Sequence, residues 1–130
     1  MIGVDTNLLA RYLLRDDSVQ YRQAVAALGS GEDVFIPVTV LLELAWVLRS
    51  RDSTREEILR ALREIIALPH VHAQHAESVR SALDWVNTGM DIADAFHLAL
   101  SGKASKFLSF DKNLASHARR AGAQPPVAAP

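Results

Sequence analysis

Short apolar runs alternate along this chain with longer stretches whose apolar residues recur every three or four positions. The first pattern marks buried strands and the second amphipathic helices. Ile2 to Val4 reads as a strand. Leu8, Leu9, Tyr12 and Leu13 then take helical spacing, with Thr6 or Asn7 available as cap. Val19 to Leu28 predicts a second helix, stopped by Gly29-Ser30-Gly31, and Val34-Phe35-Ile36 a second strand, closed by Pro37. From Thr39 to about Arg51 the pattern is apolar on nearly every side, which predicts a deeply buried helix. A capping box, either Ser53 with Glu56 or Thr54 with Glu57, opens the next helix, whose apolar face carries Ile58, Leu59, Leu62, Ile65 and Ile66.

Beyond Pro69, His70 to Ala73 reads as a weak third strand. Ala76 to Asn87 is helical and stops at Gly89, and Asp91 opens a helix running to about Leu100. Lys106 to Phe110 is the fourth strand, and Leu114 to Ala121 is a helix ended by Gly122. Residues 123–130 read as a disordered tail or one short edge strand. Strands alternating with helices predict one α/β domain over residues 1–122, built on a mostly parallel sheet. In such sheets ligands bind beyond the carboxyl ends of the strands.

Four acids interrupt the apolar pattern. Asp5 follows the first strand, Glu43 is the one charged residue in Val40 to Leu48, Asp94 lies in Ile92-Ala93-Asp94-Ala95-Phe96, and Asp111 follows Phe107 to Phe110. A buried ionised carboxylate is costly unless paired or metal-bound. Four together suggest an all-oxygen pocket for a hard divalent cation. Each has a bland alternative. Asp5 and Asp111 stand where helix caps stand, and so does Asp91, on the same helix face as Asp94. Glu43 has the weakest such excuse, a buried pair with Arg11 or Arg49. Thr6 and Ser109 are hydroxyl neighbours able to orient a carboxylate. His97, three residues after Asp94, is a further candidate for the same role. His70, His72 and His75 resemble a metal cluster but lack a matching acid or a recognised motif.

Composition narrows the chemistry. The 130 residues contain no cysteine, which excludes disulfides and thiolate metal sites and fits a cytoplasmic protein. No signal peptide or membrane-spanning run is visible. The net charge is −1, so setting the four acids aside leaves +3 on the rest, and 11 of the 14 basic residues are arginine. A local acidic pit on a mildly basic surface suits a metal-dependent enzyme acting on a polyanion, while composition alone favours the plainer reading, a solvated surface of mixed charges. Arg11, Arg15, Arg49 and Lys112 are the candidate phosphate contacts. Glycine-rich phosphate loops and the G-x-S-x-G elbow are both absent.

Asp5-Thr6-Asn7, Val38 to Leu44 around Glu43, Asp91 to Ala99 around Asp94, and Phe107 to Lys112 around Asp111, taken in this order, resemble the PIN-domain ribonucleases. Spacing and length are most similar to the VapC-type toxins of bacterial toxin–antitoxin pairs. The resemblance implies a three-layer α/β/α sandwich and a cleft for Mg²⁺, with Mn²⁺ substituting. Its acidic positions fall on Asp5, Glu43, Asp94 and Asp111, supported by Asp91, Thr6 and Ser109. It further implies an RNA substrate, a homodimer and a small cognate antitoxin. The rival readings are a non-catalytic PIN-like module that binds RNA or protein, a receiver-like phosphoacceptor domain, and a structural protein whose acids pair with arginines. A receiver needs an acid after the third strand, where this chain has Ala73-Gln74.

Overall fold

The computed structural model describes all 130 residues, and it divides into two compact units, residues 1–74 and 75–130. In the first, the order is β1 (Ile2–Gly3), α1 (Thr6–Leu14), α2 (Ser18–Leu28), β2 (Val34–Ile36), α3 (Val38–Ser50), α4 (Arg55–Ile66) and β3 (Val71–Ala73). The three strands form one parallel sheet in the order β1-β2-β3, with Ile2 beside Val34 and Val34 beside Val71. Each crossover carries two helices, since parallel neighbours cannot be joined by a hairpin. The strands are short, but the pairing reaches past them. Val4 N–H donates to the Phe35 carbonyl at 3.3 Å, and Gln74 N–H to that of Ile36 at 2.8 Å.

Burial in this unit follows the apolar periodicity. Leu9, Val34, Ile36, Leu41, Leu44, Ile58, Leu62 and Ile65 are essentially inaccessible to solvent. Helix α1 packs on α2 and α3, and α4 on α3 and β3. Thr54 and Glu57 form the capping box of α4, the second of the two pairs the sequence offered. The N-terminus of α3 has no side-chain cap of its own because Pro37 occupies that position. Gln74, at the end of β3, accepts from Val38 N–H at 3.0 Å instead.

The second unit contains α5 (Ala76–Asn87), α6 (Ile92–Leu100), β4 (Phe107–Leu108), α7 (Lys112–Ala121) and β5 (Val127–Ala128). Helices α5 and α6 pack on each other, burying Val79, Leu83, Val86, Ile92, Phe96 and Leu98. Of the two outcomes open for the C-terminal residues, the structure takes the strand. β5 pairs parallel with β4, and Phe107 N–H donates to the Pro126 carbonyl at 2.9 Å. The α/β class with parallel pairing, expected from the alternation of patterns, is what the chain adopts.

One expectation fails. Helix α3 is not buried all round. Leu41, Leu44, Ala45 and Leu48 are buried, but Thr39, Glu43, Trp46 and Ser50 face solvent. Apolar density hid the polar stripe, because Leu42, Trp46 and Val47 sit among the polar positions of the outward face.

Candidate functional site

In the first unit, the carboxyl end of β1 runs directly into Asp5. Asp5 is the N-cap of α1, and its Oδ1 accepts from Leu8 N–H at 3.0 Å. The cap is therefore Asp5, not Thr6 or Asn7. Thr6 is the one polar side chain in the molecule that is buried, at 7% exposure. Its hydroxyl donates to Oε1 of Glu43, tying the start of α1 to the second turn of α3. Glu43 itself is exposed, contrary to the expectation of burial. It lies on the outward stripe of α3, held in place by Thr6 rather than by an arginine.

In the second unit, Asp91 is the N-cap of α6, and its Oδ1 accepts from Asp94 N–H at 3.1 Å. Asp111, just beyond β4, is the N-cap of α7. One oxygen, Oδ1, accepts from both Asn113 N–H at 2.9 Å and Leu114 N–H at 3.1 Å. Ser109 does not bond a carboxylate. Its hydroxyl accepts from Asp111 N–H at 3.0 Å and so fixes the turn that presents Asp111. Asp94 is half-buried, and its carboxyl is pushed above the usual carboxylate range. Desolvation is the largest cause, followed by the negative charges of Asp91 and Asp111, with His97 working the other way. Asp91, Asp94 and Asp111 thus share one electrostatic neighbourhood.

The premise that all four acids are buried needs correcting, since Asp5, Glu43 and Asp111 are exposed and Asp94 alone is partly desolvated. An apolar run does not imply burial at the acid itself. Each run ends or turns outward at the carboxylate. The arginine-paired alternative also fails. Ion pairs form between Arg11 or Arg51 and Asp16, and His70 and His72 lie beside Asp33, but none of the candidate acids has such a partner. His70 and His72 both approach Oδ1 of Asp33, at 3.7 and 3.2 Å, while His75 starts α5 in the other unit.

Capping leaves part of each of these carboxylates free. Asp5, Asp91 and Asp111 each commit Oδ1 to a helix N-terminus and leave Oδ2 without a hydrogen bond. The cap locks the rotamer, and the second oxygen stays available. No group of three or more His, Asp or Glu side chains that could hold a metal ion is gathered in the structure. The donors present are carboxylates only, the chemistry a hard cation such as Mg²⁺ requires.

The model of the PIN domain matches residues 2–120. This chain belongs to the PIN-domain family. The matched span contains every candidate acid, together with Thr6 and Ser109. The PIN domain is a nuclease-type fold, so hydrolase chemistry on nucleic acid is the coarse assignment that follows, and the receiver-like alternative falls away. Among curated proteins none matches this PIN chain. None of its helices is long and apolar enough to cross a membrane.

Sequence reasoning missed the outward stripe of α3. There Thr39, Leu42, Glu43, Trp46, Val47 and Ser50 line an open groove of about 540 Å³. The signal was present. Thr39, Glu43 and Ser50 recur at spacings of four and seven, which puts them on one helix face.

Proposed function

We propose that this PIN protein is a divalent-metal-dependent ribonuclease, with Asp5, Glu43, Asp94 and Asp111 as carboxylate ligands and Asp91 in support. The observation that carries the reading is that, in a PIN chain, Asp5, Asp91 and Asp111 are each anchored through one oxygen and Glu43 through Thr6, with no arginine or lysine paired to any candidate acid. Mg²⁺, or Mn²⁺ in its place, would supply Lewis-acid activation of the scissile phosphate and of the attacking water.

The chain's own residues do the positioning. Thr6 donates its proton to Glu43 Oε1, leaving Oε2 without a hydrogen bond. The α1 and α7 termini hold Asp5 and Asp111 by one oxygen each, so no rotamer search precedes binding. Repulsion around Asp94 favours whatever cation or proton reaches it first.

The test is RNA hydrolysis by purified protein with Mn²⁺ and with EDTA. The wild type should cleave only with metal. Asp94→Asn should lose at least about a hundredfold in rate while keeping its circular dichroism, a drop typical of lost charge stabilisation in a transition state. Equal cleavage in EDTA, or none in Mn²⁺, would refute the reading.

The finer reading makes the protein a VapC-type toxin of the cytoplasm, acting as a homodimer and silenced by a small cognate antitoxin. On that reading, induced expression of the wild type arrests growth and Asp94→Asn does not. Growth unaffected by an active nuclease would remove the toxin role and leave the ribonuclease.

A further inference from the structure

Helix α6 and its cap carry a polar residue that the proposed function leaves unused. Asp91, Asp94 and His97 follow one another at intervals of three, so each neighbours the next on the helix surface. Side chains on a helix lean toward its N-terminus. The imidazole of His97 is therefore directed back over the turn that holds Asp94. It draws the Asp94 carboxyl down, while burial, Asp91 and Asp111 push it up. His97 is exposed. Its carbonyl accepts from Ser101 Oγ at 2.8 Å, but neither ring nitrogen has a partner in the chain.

Even a neutral imidazole donates through one nitrogen. In the second unit that donor stands where an anionic substrate needs one. Asp91, Asp94 and Asp111 act on one another as neighbouring carboxylates. One divalent cation does not neutralise three such charges, and an arriving phosphodiester adds a further negative charge. A donor already in place stabilises that charge without reorganising. Lys112 opens α7 beside Asp111 but is not among the groups acting on Asp94. On the Asp94 side, His97 is the group left to meet the phosphate.

We propose that His97 is a substrate-contacting residue of the candidate site, its ring N–H donating to a non-bridging oxygen of the phosphodiester held beside Asp94. This rests on the ribonuclease reading above and adds a residue to it. The role is a hydrogen bond to phosphate, not metal ligation and not proton transfer.

The test measures binding apart from catalysis. Anisotropy of a labelled oligoribonucleotide is followed in EDTA for the wild type, His97→Ala and His97→Gln. Cleavage is then followed in Mn²⁺, together with the half-saturating Mn²⁺ concentration and the urea midpoint of each protein. Glutamine keeps an N–H donor on a side chain of similar reach. Loss of a hydrogen bond to a charged group costs roughly ten- to hundredfold. His97→Ala should bind about tenfold more weakly and lose about ten- to hundredfold in kcat/KM, with the Mn²⁺ requirement unchanged. His97→Gln should stay within about threefold of the wild type in both measurements.

A deficit that glutamine restores, at an unchanged urea midpoint, belongs to the donor and not to folding. Unchanged binding in His97→Ala overturns the proposal, whatever happens to the rate. So does a binding deficit without a fall in kcat/KM, which places the contact away from the scissile bond. A shifted Mn²⁺ requirement overturns it as well, because the ring would then serve the metal. Glutamine no better than alanine removes the hydrogen bond as the cause. A wild type that binds RNA through His97 but never cleaves it would remove the nuclease reading and leave the phosphate contact standing.

Discussion

At the scale of single residues, the recurring device is a carboxylate whose two oxygens have different duties. Asp111 shows it most fully, since one oxygen accepts from two backbone amides and the other is free. This lets capping be separated from chemistry. Asparagine caps a helix about as well as aspartate, whereas alanine costs about 1 kcal/mol. Asp111→Asn should therefore unfold in urea close to the wild type, and Asp111→Ala about 1 kcal/mol earlier. Both should lose metal-dependent cleavage. An active Asp111→Asn would confine Asp111 to capping.

Asp94 carries the opposite kind of information. Its folded pKa is raised, so the folded state holds a proton there more readily than the unfolded chain does. The ionised form consequently costs stability above the folded pKa. That cost shrinks as pH falls through it and is gone below the ordinary value of 3.8. Asp94→Asn should therefore be more resistant to urea than the wild type at pH 7, with the gap closing as pH approaches 3.8. A gap independent of pH would mean that the charge of Asp94 is not its source.

At the scale of elements, legibility followed local physics. Helix α5 was readable to its last residue, because its apolar face and its terminal glycine agree. The α4 capping box was readable because it is a contact within one turn. What could not be read were contacts between distant segments. Nothing local announces that Thr6 will find Glu43 across 37 positions, or that Gln74 will cap α3 in place of Pro37. Helix α3 was misjudged for a different reason. Counting apolar residues overrode their angular placement, and the polar stripe through Thr39, Glu43 and Ser50 was absorbed into an apparently all-apolar helix. The family resemblance rested on the types and order of the acids and not on their burial, and the chain's membership of the PIN family stands without it.

At the scale of the whole molecule, a net charge of −1 is a poor guide to RNA affinity, because some of the arginines are already engaged within the chain. Arg11 pairs with Asp16 at 2.8 Å and Arg51 pairs with the same carboxylate at 3.2 Å. Those two arginines hold Asp16 below its usual carboxylate range. Arg15 lies over the Tyr21 ring, 5.0 Å from its centre. Of the four basic residues first considered for phosphate contact, Arg49 and Lys112 are thus uncommitted. Each phosphate neutralised on a single strand contributes roughly −0.7 to the slope of log affinity against log salt. Two such contacts predict a slope near −1.4 for a short oligoribonucleotide, measured in EDTA between 50 and 200 mM KCl. Arg49→Ala should bring the slope about 0.7 closer to zero. Arg11→Ala should leave it unchanged while loosening the start of α2, because the partners it loses, the Asp16 carboxylate and the side-chain oxygen of Gln20, belong to the chain itself. A steeper wild-type slope, or one that moves with Arg11 and not Arg49, would show that the intramolecular pairs open on binding and that the RNA follows a different path over the surface.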